Sequence, residues 1–148
     1  MSGAAFGRIL MATDFSSASS PAFERALALA KDLSAQLLLL HAYQDRALPE
    51  LGFAPTGSFE EWDRDVLARA EARLEPLLAR ARAEGVEVEA LLVPGFPDEA
   101  IVEAARQRDA DLIVVGTHGR RGAARLMLGS VAARVVAGAP CPVLTARG

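Results

Sequence analysis

Two short runs constrain this chain more than anything else in it: Leu37-Leu38-Leu39-Leu40 and Leu112-Ile113-Val114-Val115. A half-exposed strand alternates apolar and polar residues, so an unbroken apolar run between turn residues reads as a strand covered on both faces. Such strands need helices above and below them, and the intervening sequence has the helical period. Phe23, Ala26, Ala30 and Leu33 share one helix face, with Pro21 in the first turn and the serines at 16–20 as N-cap candidates. Val66, Leu67, Ala70, Leu74, Leu77, Leu78 and Ala81 mark a longer helix. The capping-box spacing Ser58-Phe59-Glu60-Glu61 opens it, Pro76 should kink it and Gly85 ends it. Pro97-Asp98-Glu99 starts a third helix with Ile101, Ala104 and Ala105 inward, and a fourth covers Val131, Val135 and Val136. The remaining strands are Arg8–Thr13, Val86–Val93 (alternating at first, as near a sheet edge) and Pro142–Thr145.

The order β-α-β-α-β-α-β-α-β predicts an α/β fold: a five-stranded parallel open sheet with helices on both faces, in one domain spanning 1–148. Ligands of such sheets bind beyond the carboxyl ends of the strands, where the winding direction reverses. That singles out the loops after Thr13, Tyr43, Val93 and Val115.

Composition closes off several classes. At 51% hydrophobic and 24% charged residues the chain has the apolar surface a core needs, which excludes disorder. No apolar run reaches membrane-span length, and residues 1–8 lack a basic start followed by a long apolar stretch, so a cytoplasmic protein without a membrane partner is expected. The single cysteine, Cys141, excludes an internal disulfide and a cysteine-built zinc site, and it reads as a small buried apolar residue. Net charge is −3 overall, yet every acidic residue lies at or before Asp111 while five arginines follow it. Residues 112–148 therefore carry +5. Without interleaved aromatics this is a poor nucleic-acid face. It fits either a small anion held near Arg120, Arg121 and Arg125 or a solvated helix surface.

The loop after the fourth strand concentrates the chemistry. Gly116 and Gly119 admit close backbone approach, and Gly129-Ser130 opens the last helix, where free amides and the positive dipole end suit a phosphate. Together with the arginines, this predicts a phosphate cradle. His118 reads as a surface loop histidine, or as a group that could polarise a phosphate. His41, at the end of a buried strand, reads as a hydrogen-bonded structural histidine, and Trp62 as a packing residue. Ser130, His118 and Asp14 are the residue types of a hydrolytic triad, but no nucleophile elbow is present. The Walker phosphate loop is absent, and the first strand is followed by Asp14-Phe15-Ser16 rather than by dinucleotide-binding glycines.

The loop resembles the nucleotide motif of the universal stress protein family: glycine, two residues, glycine, nine residues, then glycine and serine, at Gly116, Gly119, Gly129 and Ser130. Thr13-Asp14-Phe15-Ser16, Leu40-His41, Ala100-Ile101 and Pro140-Cys141-Pro142-Val143-Leu144 are also similar to that family, over about Arg8 to Ala146. The resemblance implies a Rossmann-like fold of the adenine nucleotide alpha hydrolase-like kind, and membership of the ATP-binding subclass. Thr13 and Asp14 would then contact base and ribose, and Ala42 would line the adenine pocket. Val115 and Gly116 would pass under the nucleoside, while Gly119, Gly129, Ser130 and Val131 would hold ribose and phosphates, with Arg120 and Arg121 beside them. Mg2+ would be held through the phosphates. A homodimer through the C-terminal strand is implied as well. The function expected is regulatory ATP binding in a stress response with little or no turnover. The alternatives are a slow ATP hydrolase or phosphotransferase using the same pocket, and a nucleotide-free partner-binding scaffold.

Overall fold

Both apolar runs become strands at the centre of one parallel sheet. A computed structural model of the chain describes residues 6–43, 59–117 and 128–147, with the side chains of its second helix described from Arg64 onward. The elements are β1 (Arg8–Ala12), α1 (Ser20–Leu33), β2 (Gln36–Tyr43), α2 (Phe59–Ala83), β3 (Val88–Pro94), α3 (Pro97–Gln107), β4 (Leu112–Gly116), α4 (Ser130–Gly138) and β5 (Val143–Ala146). The strand order is β3-β2-β1-β4-β5, every pair parallel. The winding direction reverses between β1 and β4, which makes the carboxyl ends of those strands the crevice where such sheets take ligands.

The sheet divides the core in two. On one face Ile9, Met11, Leu37, Leu39 and Val114 pack against α1 and α2 through Phe23, Leu27, Leu74 and Leu78. On the other, Leu10, Leu38, Leu40, Ile113 and Val115 meet Ile101 and Ala105 of α3 and Ala132 and Val135 of α4. Leu37, Leu38 and Leu39 are fully buried, each worth about 1.5–3 kcal/mol relative to exposure.

Three helices end in the same way. At each C-terminus the residue in the left-handed position and its successor donate back into the last turn. After α1, Ser34 bonds to Lys31 O and Ala35 to Ala30 O; after α2, Gly85 to Arg82 O and Val86 to Ala81 O; after α3, Asp109 to Arg106 O and Ala110 to Ala105 O. The successors Ala35, Val86 and Ala110 are buried. Val86 is therefore part of a helix stop, and β3 starts at Val88 rather than at Val86.

Other local expectations fare unevenly. Pro76 lies inside α2, which continues past it. Ser19 occupies the N-cap position of α1, but its hydroxyl does not cap. It is drawn inward to bond Ser16 O at 2.8 Å and the buried Thr13 hydroxyl at 3.1 Å. The Ser58–Glu61 capping box and the Trp62 side chain lie outside the described residues. At the amino edge of the sheet, the Asp111 carboxylate accepts from the amides of Gly7 (2.8 Å) and Arg8 (2.9 Å), binding the start of β1 to the start of β4. No helix among the described residues is long and apolar enough to cross a membrane.

Candidate functional site

The loop after β1 folds into a tight turn because its short polar side chains satisfy backbone groups locally. Thr13 N–H still bonds Leu40 O at 2.9 Å. Asp14 then forms a turn in which Oδ1 accepts from Ser16 N–H at 2.9 Å and from the Ser16 hydroxyl. Leu10 and Ala12 face the α3–α4 side of the sheet, and Asp14 stands two residues past the end of β1. Ile9 and Met11 face the α1–α2 side, and Thr13 continues that set.

The Thr13 hydroxyl both donates and accepts within the turn. Ser19 Oγ donates to Ser16 O, so its one proton is in use and Thr13 must be the donor to Ser19. Thr13 Oγ1 in turn accepts from Phe15 N–H at 3.0 Å. The resemblance assigns Thr13 to base and ribose, a role its backbone can fill while its hydroxyl bonds within the turn. The residue is 6% exposed, and its side chain belongs to the turn's own framework.

Beside this turn, β2 places Ala42 and β4 places Val115 on the α3–α4 face, where Val131 of α4 also packs. Three of the expected residues thus share one face, Ala42 and Val115 on the two strands that flank β1 and Val131 on α4. At the end of β4, Thr117 N–H bonds Ala146 O at 3.0 Å, and Thr117 O accepts from Gly129 N–H at 2.6 Å. This last bond brings the start of α4 back to the carboxyl end of β4, so Gly116, Gly129 and Ser130 are brought to the same end of the sheet. Gly129 is the N-cap of α4, with no side-chain cap and no acidic residue in the first turn, so the amide donors there are not engaged by a capping side chain. His118, Gly119, Arg120 and Arg121 lie outside the described residues.

Two other features were candidates. Cys141 packs half-buried against the α3–α4 core, and burial, then the Asp111 carboxylate, push its thiol pKa up, the reverse of what a reactive thiolate needs. A cleft of about 320 Å³ opens between α1 and α2, lined by Phe15, Ser16, Phe23, Arg73 and Leu77 among others. It lies on the α1–α2 side of the sheet at the carboxyl end of β1, where Thr13 lines it with Phe15 and Ser16. Its Thr13, Ser16 and Ser19 hydroxyls bond within the turn, and Arg80 makes a two-pronged ion pair with Glu24 at its rim. Polar Asp14, Ser16 and Ser17 mark a turn in the sequence, but the bonds that Ser19 and Phe15 make to Thr13 were not legible there. The signal available was the two-residue period that carries Thr13 to the α1–α2 face.

Comparison with known proteins agrees with this geometry. The family model described as the universal stress protein family matches residues 5–147. A universal stress protein of Thermus aquaticus, encoded in the 3' region of a QAH/OAS sulfhydrylase, is 43% identical over 144 residues, covering 96% of this chain and 99% of the relative. The solved structure of UspA from Lactobacillus plantarum superposes with a TM-score of 0.81 at 27% identity, covering 96% of this chain and 98% of that one. A universal stress protein crystallised in complex with cAMP superposes with a TM-score of 0.71 at 31% identity, covering 96% and 97%. With nearly its whole length matched and the reversal point built as described, the chain belongs to the universal stress protein family.

Proposed function

We propose that this protein binds ATP at the carboxyl ends of β1 and β4 and acts as a regulatory nucleotide-binding protein with little or no turnover. The observation that carries it is the bond from Gly129 N–H to Thr117 O, which sets the uncapped start of α4 beside the β1–β4 reversal point. A helix start of this kind favours a phosphate through free amides and dipole. Asp14 supplies an acceptor for the nucleoside end, and Ala42, Val115 and Val131 an apolar wall. Gly119, Arg120 and Arg121 carry the phosphate contacts of the same proposal. The similar protein crystallised with cAMP supports an adenine nucleotide as the ligand class. Mg2+ would be held by the phosphate oxygens of the nucleotide rather than by a protein cage; among the described residues no three His, Cys, Asp or Glu side chains cluster.

Mass spectrometry of the denatured, freshly purified protein is the first test. Bound ATP supports the proposal, ADP points to turnover, and absence of nucleotide from protein that also fails to bind added ATP removes it. Calorimetry then divides the site. Asp14→Ala is expected to weaken adenosine and ATP by the same factor, whereas Gly129→Trp is expected to abolish the gain of ATP over adenosine. A folded Gly129→Trp protein that binds ATP as tightly as the parent would sink the phosphate cradle.

A further inference from the structure

The turn that carries Asp14 is gripped from β2 by one side chain, His41. The Thr13 carbonyl oxygen lies 2.8 Å from His41 Nδ1. A carbonyl oxygen can only accept, so Nδ1 carries the hydrogen and the ring orientation is set. Just beyond Asp14, Phe15 adopts φ 64, a left-handed conformation that a bulky side chain keeps only where its surroundings impose it. The Phe15 ring sits 4.4 Å from the His41 ring, centroid to centroid, tilted by 39°. The Arg73 guanidinium of α2 lies over the same Phe15 ring at 4.6 Å. Asp14 is thus flanked by a peptide oxygen that His41 holds and by a ring that packs on His41. His41 itself follows Leu37 and Leu39 in the strand period, on the α1–α2 side, whereas its neighbour Ala42 lies on the other face.

From this arrangement we infer that His41 is a positioning residue for the adenine nucleoside: it fixes the Thr13–Asp14–Phe15 turn from the side of the sheet opposite Ala42 and Val115. The inference rests on the proposed role of Asp14 at the nucleoside end. Because His41 acts through the turn, its loss falls on the part shared by adenosine and ATP.

The test uses the full chain and the variants His41→Ala and His41→Asn, since the asparagine amide offers a donor close to the position of Nδ1. His41→Ala is expected to weaken adenosine and ATP alike, by about fivefold, the worth of one hydrogen bond. His41→Asn should stay within about twofold of the parent. In the ligand-free protein, the amides of Phe15 (bonded to Thr13 Oγ1) and Ser16 (bonded to Asp14 Oδ1) report on the turn directly. Their hydrogen exchange should quicken by about tenfold in His41→Ala and not in His41→Asn, with Leu10 and Met11 unchanged. A folded His41→Ala protein with parental affinity and parental exchange overturns the inference, and so do Ala and Asn variants that lose equally. If His41→Ala fails to fold, His41→Asn alone decides: parental protection and affinity support the role, and their loss overturns it. A parent that binds neither ligand removes the nucleotide reading, while the exchange comparison still decides whether His41 holds the turn.

Discussion

Asp111 joins the amino ends of two neighbouring strands through one carboxylate, accepting from Gly7 and Arg8 while its own amide bonds Arg8 O at 2.8 Å. Asp111→Ala leaves two strand-end amides without that partner, and chemical denaturation should show a loss of about 1.5–3 kcal/mol, the range for hydrogen bonds to a charged group. The same carboxylate helps raise the Cys141 pKa, after burial itself. Since the thiolate is the reactive form, alkylation of the folded parent should need a higher pH than that of the unfolded chain, and Asp111→Ala should narrow the gap. Residue roles of this kind were only partly legible in the sequence. His41 was readable as a hydrogen-bonded strand-end histidine because an imidazole beside a buried run must find a partner. The direction of the Thr13 hydroxyl was not legible from its place in a motif, although the alternation Ile9, Met11, Thr13 did carry that information. Asp111 gave no signal beyond standing ahead of an apolar run, for its partners are more than a hundred residues away.

At the scale of elements, the helix stops show where local chemistry is good and where it is merely tolerated. Gly85 takes φ 78 at the end of α2 without steric cost, while Ser34 and Asp109 take φ 52 at the same point of α1 and α3. A left-handed L residue costs about 1–2 kcal/mol, and glycine avoids it at some loss of chain entropy. Ser34→Gly is therefore expected to stabilise the protein by about 0.5–1 kcal/mol, read as a higher denaturant midpoint with unchanged slope. A lower midpoint would mean that the serine side chain contributes more than its backbone conformation costs. The glycine stop was legible in the sequence and the other two were not, because serine and aspartate appear in helices, turns and caps alike. Strand β2 and the starts of α1 and α3 were legible because an apolar run or an early proline admits few local structures. The start of β3 was misjudged because Val86 alternates like a strand residue while serving as the buried contact that ends α2.

For the whole molecule, the open question is what meets the β5 edge, since β5 pairs only with β4 among the described strands. Ile113 N–H bonds Pro142 O and Thr117 N–H bonds Ala146 O, so alternate residues of β5 turn their backbone groups inward. Leu144 falls in phase with them, and Val143 and Thr145 therefore turn theirs outward. An unpaired edge of this kind invites another strand, and a second copy related by a two-fold axis can close it with identical surfaces. Val136 of α4, the helix that packs on β5, is 50% exposed and adds apolar surface. We propose a homodimer joined along β5, and light scattering at micromolar concentration should give twice the 15.6 kDa chain mass. Thr145→Pro separates this edge from the fold. Proline removes an outward N–H that makes no bond to β4, fits the extended backbone of an edge strand and keeps the inward bonds of Leu144 and Ala146. The variant is expected to stay folded, with parental circular dichroism, and to scatter as a monomer. A parent that is already monomeric, or a folded Thr145→Pro variant that remains fully dimeric, would remove β5 as the joining strand.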